Sequence, residues 1–197
     1  MFGLPEAADY ALAGGAALLA TGTITRPTRD LDAFVEAQPA HPPGDVAPLT
    51  EALTRTLGAE GWSSHVVRSH QTFTRLLVSK EEHSVEIDLA VDSPRLFPLT
   101  VVAGIPMLDT RDLAARKILA AVDRAEGRDF TDLEALQRHH ERSDIVRWAY
   151  QLDAGLARAV IADAFSKIDR LDDIDLPSTD TSATRKLFAT WATELGS

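Results

Sequence analysis

The sequence predicts an α+β protein, with a mixed α/β N-terminal half over residues 1–108 and a helical C-terminal half over residues 109–197. Three observations predict it. Two-residue alternation, as in Val85, Ile87, Leu89 and Val91 against Glu86, Asp88 and Ala90, occurs only in the first half. From Asp109 onward, apolar residues recur at the three- and four-residue spacing of helices. A chain of 197 residues that is 45% hydrophobic can bury a sizeable core.

Residues 9–13 read as a short strand entering a double glycine, Gly14-Gly15, and 16–20 as a helix of small apolar residues, hence buried. Residues 21–28 form a loop punctuated by Gly22 and Pro27, and 29–35 a strand carrying Asp30 and Asp32. The Pro-rich stretch 37–44 is too long and broken for a tight turn, and reads as either an inert surface loop or a flap. Residues 46–60 are helical, with Leu49, Leu53 and Leu57 on one face and Gly58 and Gly61 ending the run. Segments 72–78 and 84–91, joined by a polar turn, read as a hairpin, and 101–107, broken at Gly104, adds short strands. Helices follow at about 110–125, 130–139, 143–151, 154–170 and 181–195. Asp109 and Asp112 stand at the N-cap and N3 positions of the first, and Pro177 separates the last two.

Composition removes several classes of function. Without cysteine there are no disulfides or thiolate metal sites. No apolar run approaches the roughly 20 residues of a membrane span, and the start lacks the pattern of a signal peptide. The expected location is therefore cytoplasmic, away from membranes. His139-His140 has no matching third ligand for zinc, and neither a Gly-x-Ser-x-Gly elbow nor a phosphate loop with Gly-Lys-Ser/Thr is present. The net charge of −10 is unlike that of a uniformly basic nucleic-acid binder. The charge is uneven, however. Asp169, Asp172, Asp173, Asp175 and Asp180 crowd the C-terminal part, while Arg26, Arg29, Arg111, Arg116, Lys117, Arg124 and Arg128 lie nearer the candidate site. A local basic surface is compatible with that, and the acidic surface suits a basic partner.

Asp30 and Asp32 lie two apart on a strand, so their carboxylates share a side and can share a hard cation such as magnesium. A bare Asp-x-Asp is ordinarily solvated. The upstream glycines, which let phosphate oxygens approach backbone N–H groups, and the Thr28 hydroxyl favour a metal–phosphate site. Asp88, on the polar side of a neighbouring strand, is a third carboxylate for a metal or a general base, with Glu86 its competitor. Lys117 lies on the apolar side of its helix, where it either snorkels or meets a buried anion, and a triphosphate is one such anion. Asp129 and Asp132 fit helix-start chemistry. Arg124 and Arg128 bind phosphates, steady a helix end, or do neither.

Gly14-Gly15 followed by Arg26-Pro27-Thr28-Arg29-Asp30-Leu31-Asp32 resembles the first motif of the nucleotidyltransferase superfamily. Arg116-Lys117-Ile118-Leu119-Ala120, Asp123-Arg124 and Arg128-Asp129-Phe130-Thr131-Asp132-Leu133 narrow the resemblance to the AbiEii-like toxins, which include the MenT toxins of mycobacterial toxin–antitoxin pairs. The resemblance covers about residues 9–137 and implies a nucleotidyltransferase-like mixed sheet for the N-terminal half. It implies that Asp30 and Asp32 hold Mg2+, with Asp88 as a further metal and catalytic carboxylate. It assigns nucleotide binding to Gly14, Gly15, Thr28, Lys117 and Arg124, and makes Asp132 the last essential acid, positioning Lys117 or the nucleotide. Many superfamily members have Gly-Ser where this chain has Gly14-Gly15, a difference shared with the AbiEii-like branch. The implied activity is transfer of a nucleoside monophosphate from an NTP to the 3′ acceptor end of tRNA, which blocks aminoacylation and translation, with a cognate antitoxin as partner. The rival expectations are the same chemistry on an aminoglycoside-like small molecule or a protein hydroxyl, and a degenerate member that only binds a partner.

Overall fold

The computed structural model describes residues 1–37 and 45–196. The Pro-rich segment 38–44 lies outside the described residues. The chain divides into two compact units, Met1–Asp109 and Thr110–Ser197.

The first unit is built on strands β1 (Ala11–Ala13), β2 (Asp30–Glu36), β3 (Ser63–His70), β4 (Phe73–Lys80), β5 (His83–Asp92), β6 (Thr100–Val102) and β7 (Ile105–Met107). They form one seven-stranded sheet in the order β3-β4-β5-β2-β1-β7-β6. Helix α1 (Gly14–Ala20) connects β1 to β2, and α2 (Ala47–Ala59) precedes β3. The sheet is mixed: β2 pairs parallel with β5 and β1 with β7, and the other pairs are antiparallel. The alternation of apolar residues orients it. Ala33, Leu76, Val78, Ile87 and Leu89 meet Leu49 and Leu53 of α2 in one buried cluster. The intervening residues, Asp30, Asp32, Glu86, Asp88 and Arg75, occupy the other face, because a strand sends successive side chains to opposite sides.

The hairpin expected over 72–91 is present as β4 and β5, and β6 and β7 flank Gly104. Strand β3 has no counterpart in the sequence reading. It is an edge strand, exposed along nearly all its length, and its register shifts between Val66 and Arg68. With two adjacent valines and six polar residues it shows no apolar alternation, the signal that burial of one face imprints on a strand.

The second unit contains helices α3 (Thr110–Asp123), α4 (Gly127–Leu136), α5 (Arg142–Leu152), α6 (Arg158–Ser166) and α7 (Thr181–Gly196). Aromatic rings join three of them. Phe188 of α7 meets Phe130 of α4 edge-on at 5.0 Å and Phe165 of α6 at 5.1 Å, and Trp191 lies 4.8 Å from Phe165. Two helices differ most from expectation. The helix expected over 154–170 is α6 followed by a 3₁₀ turn, Lys167–Arg170. Its start is delayed because the Asp153 carboxylate accepts the Gly155 N–H at 2.8 Å, a local bond that competes with helix. Helix α4 begins earlier, with Glu126 as N-cap and Asp129 as its N3 partner in a capping box, so Asp129 is not the cap itself. No helix among the described residues is long and apolar enough to cross a membrane.

Candidate active site

The double glycine sits where β1 runs directly into α1, and its two positions do different work. Gly14 has φ +59°, the left-handed region that favours glycine. A Cβ there would lie 1.7 Å from Asp32 Oδ2, so the Asp32 carboxylate occupies the place a side chain would take. The antiparallel β1–β2 pair explains the approach, since Ala13 is the register partner of Asp32. A Cβ on Gly15 would stand 3.2 Å from both Arg26 Nη2 and Thr28 Oγ1. These side chains therefore cover the Gly15 backbone. The Thr28 hydroxyl in turn donates to Asp30 Oδ1 at 2.5 Å. Gly14, Gly15, Arg26, Thr28, Asp30 and Asp32 thus form one continuous constellation, in which the glycines make room for side chains of the neighbouring loop and strand.

Parallel pairing of β2 with β5 puts Asp32 opposite Asp88 and Asp30 opposite Glu86. Asp88 is only 7% exposed. Both of its oxygens are taken by Arg75 of β4, which donates from Nε at 2.8 Å and from Nη2 at 2.7 Å, a bidentate charge-assisted pair. Glu86 adds a longer contact of 3.7 Å to the same guanidinium. The Asp88 hydrogen bonds raise the Arg75 pKa against the opposing effect of burial, and the charges of Asp88, Glu86 and Asp32 add to the rise. Asp88 as a third metal ligand stays an expectation, in which a metal would replace Arg75 as its cationic partner. Among the described residues, no group of three or more His, Asp or Glu side chains is arranged to hold a metal ion. The Asp30–Asp32 pair by itself still suits magnesium, which takes one or two carboxylates and completes its shell with water and substrate phosphates.

In the second unit, Lys117 of α3 is 6% exposed and lies among buried Leu113, Ala114, Ile118 and Ala121. Its buried anions are supplied by the protein. Nζ lies 2.9 Å from Asp132 and 3.2 Å from Asp129, both on α4 and both fully buried. The three-residue spacing of Asp129 and Asp132 puts them on one helix face. Arg124 also grips Asp129, donating from Nε to Oδ2 at 3.0 Å and from Nη2 at 3.0 Å to Oδ1, the oxygen that Lys117 meets. Burial alone would push the Asp129 carboxyl up. The Arg124 hydrogen bonds and the Lys117 and Arg124 charges outweigh it and hold the group below the ordinary carboxylate range.

That direction has a consequence for stability. A carboxyl depressed in the folded state contributes stability above its unfolded pKa of about 4, and the contribution fades as pH falls through the folded value. Arg124→Gln weakens the grip on Asp129, so its urea midpoint is expected to lie below that of the parent at pH 7. The difference should narrow as pH falls from about 4, where Asp129 of the unfolded chain takes up its proton, toward the depressed folded value, where the native group follows. Urea titrations at pH 7 and pH 3 check this.

The structure therefore groups the residues singled out in the sequence into two clusters. Gly14, Gly15, Thr28, Asp30 and Asp32, with Asp88 one strand away, belong to the sheet unit. Lys117, Arg124 and Asp132 belong to the helical unit. To these it joins Arg26 and Asp129, which the motifs contain without a site role, and Arg75, which no motif singles out. Asp129 was legible in principle, since it and Asp132 stand one helical turn apart and after a lysine on an apolar face. Arg75 was not, because its link to Asp88 depends on strand register.

A family model described as the nucleotidyl transferase AbiEii toxin of type IV toxin–antitoxin systems matches residues 3–193. No curated protein matches the chain by sequence. Among solved structures, the fold is similar to MenT4, the nucleotidyltransferase toxin Rv2826c of Mycobacterium tuberculosis H37Rv. The TM-score is 0.64 at 17% identity, over 94% of this chain and 75% of that one. A candidate nucleotidyltransferase from H. pylori gives 0.63 at 19% identity, over 95% and 86%. The antibiotic-resistance factor ANT(2'')-Ia gives 0.51 at 14% identity, over 74% and 82%.

Proposed function

We propose that this chain, which belongs to the AbiEii family of nucleotidyltransferase toxins, transfers a nucleoside monophosphate from an NTP to the 3′ acceptor end of tRNA. The observation that carries the chemistry is the seat of Asp32. Its carboxylate fills the space of the absent Gly14 side chain, beside an Asp30 fixed by Thr28. We assign Asp30 and Asp32 to a magnesium ion, which when bound neutralises phosphate charge and favours the reacting hydroxyl.

The chain's own residues orient and neutralise. Thr28 fixes the Asp30 carboxylate. Arg26 brings a cation to the same turn. Lys117 has three N–H donors, two of them directed to Asp129 and Asp132, and we assign the third to the triphosphate. Arg124 holds Asp129 and through it the orientation of Lys117. In the reaction the RNA hydroxyl oxygen bonds to the α-phosphorus, the bond from that phosphorus to the bridging oxygen breaks, pyrophosphate leaves, and the hydroxyl proton is released to water. Most of the rate comes from in-line positioning and charge neutralisation. The resemblance to the MenT toxins supports tRNA as acceptor, and the toxin–antitoxin description of the family supports a cognate antitoxin as protein partner.

The test is incubation of the purified protein with each of the four α-labelled NTPs and total tRNA, with magnesium or with chelator. Magnesium-dependent label on RNA is expected with at least one nucleotide. Absence of label with all four overturns the reading. Removing the Thr28 hydroxyl in Thr28→Val leaves Asp30 without a hydrogen bond of the charged kind, worth about 1.5–3 kcal/mol. Transfer is then expected to fall roughly 10- to 100-fold, and Tm by roughly 3–12 °C. A second reading, transfer to a cationic small molecule such as an aminoglycoside, draws on the fold shared with ANT(2'')-Ia and on the net charge of −10. Label on drug and not on RNA decides for it.

A further inference from the structure

Four strands of the sheet place charged side chains in a single cross-strand row. Asp32 of β2 is paired with Asp88 of β5, Asp88 with Arg75 of β4, and Arg75 with Arg68 of β3. Register partners share a face, so the row runs from two carboxylates to two guanidinium groups on the side of the sheet opposite the α2 core. Strands lie about 4.8 Å apart, which puts Arg68 roughly 14 Å from Asp32. The basic end is widened by the neighbouring rows, where His65 is opposite Leu77 and His70 opposite Phe73.

The two arginines differ in what holds them. Arg75 is committed to Asp88. Arg68 is exposed, its Nε donates to His70 Nε2 at 3.2 Å, and its guanidinium lies 5.7 Å from the centre of the Phe73 ring. An arginine presented over an aromatic ring, with imidazoles on either side, is suited to a phosphodiester and an adjoining base.

We propose that this basic edge, centred on Arg68 with His65, His70 and Phe73, binds the phosphate backbone of the RNA acceptor and points its terminal hydroxyl along the row toward Asp30 and Asp32. The inference rests on the proposed transfer to RNA and adds where on this chain the RNA lies. A polyanion is favoured over a protein partner by the sequence of charges. The carboxylate end requires a cation before it accepts anything negative, whereas the arginine end is positive on a chain of net charge −10. A ligand with a reactive terminus and a trail of phosphates matches both ends.

The test measures RNA binding apart from transfer. Fluorescence anisotropy with a labelled hairpin RNA bearing an unpaired 3′ tail, without NTP, gives affinity as a function of salt. Arg68→Glu is expected to weaken binding about tenfold, and Arg68→Gln less. Each lost phosphate contact should make the slope of log K against log salt shallower by about 0.7. Arg55→Glu is the control. It makes the same charge change on α2, which packs on the other face of the sheet, and should leave binding near the parental value. If Arg68→Glu and Arg55→Glu behave alike, or the parent does not bind the hairpin, the basic edge is not an RNA track. Failure of label transfer by a parent that binds RNA through Arg68 would instead count against the proposed reaction and leave this surface standing.

Discussion

Replacing Lys117 by alanine is expected to destabilise the protein by about 3–5 kcal/mol and to end nucleotide transfer. The first effect follows from what the lysine leaves behind. Asp129 and Asp132 are fully buried, and Nζ lies within 3.2 Å of both. Removing one partner of a buried ion pair strands an uncompensated charge, which is why such truncations cost several kcal/mol. For a protein of this size that corresponds to a fall in Tm of roughly 6–20 °C. Loss of activity in Lys117→Ala therefore does not by itself identify a ligand role. The double variant Lys117→Met/Asp132→Asn separates the two effects. It removes one positive and one negative charge together, and Asp129 keeps its bidentate partner Arg124. We expect it to recover most of the lost stability without recovering transfer. A double variant that regains both would show that Lys117 only neutralises α4 and does not touch the triphosphate.

The same cluster shows how far the sequence carries. A lysine on the apolar side of α3 leaves two readings, snorkelling or a buried anion, and its burial against Asp129 and Asp132 decides for the anion. The identity of the anion was not announced, since Asp129 and Asp132 also satisfy the rules for a helix start. Helices α3 and α7 and strands β2, β4 and β5 were legible for a simple reason. Each buries one face, and burial imposes a period on the sequence. Strand β3 buries almost nothing and left no period to read. The break before α6 was hidden because it depends on one side-chain bond from Asp153.

At the sheet end of the site, the i,i+2 spacing of Asp30 and Asp32 was visible and their shared face follows from it. The fate of Asp88 was not. Its placement opposite Asp32 needs the parallel β2–β5 register, and its capture by Arg75 needs the β4–β5 register as well. Pairing between strands far apart in sequence is a property of the assembled sheet. A single strand's pattern says which face a residue takes and is silent on its neighbour across the ladder.

Gly14→Ala is expected to cut transfer at least a hundredfold while leaving the fold in place. The methyl group would be built at φ +59°, at a cost of about 1–2 kcal/mol for an L-residue. It would also stand 1.7 Å from Asp32 Oδ2 and 2.7 Å from its Cγ, distances that no contact tolerates. Rotating the carboxylate away relieves the clash, so most of the damage falls on Asp32 and little on the sheet. A displacement of about 1 Å in a positioning group already costs on the order of a hundredfold in rate. The variant should accordingly need more magnesium for half-maximal transfer and lose only a few degrees in Tm. Gly15→Ser makes the contrast. Its Cβ would meet Arg26 Nη2 and Thr28 Oγ1 at 3.2 Å, the ends of two side chains that can shift by tenths of an ångström. That change restores the Gly-Ser pair common in the superfamily and should retain most of the transfer. If Gly14→Ala transfers nucleotide at the parental rate and magnesium dependence, the Asp32 carboxylate is not a metal ligand, and the assignment of the site to the β1–α1 turn fails with it.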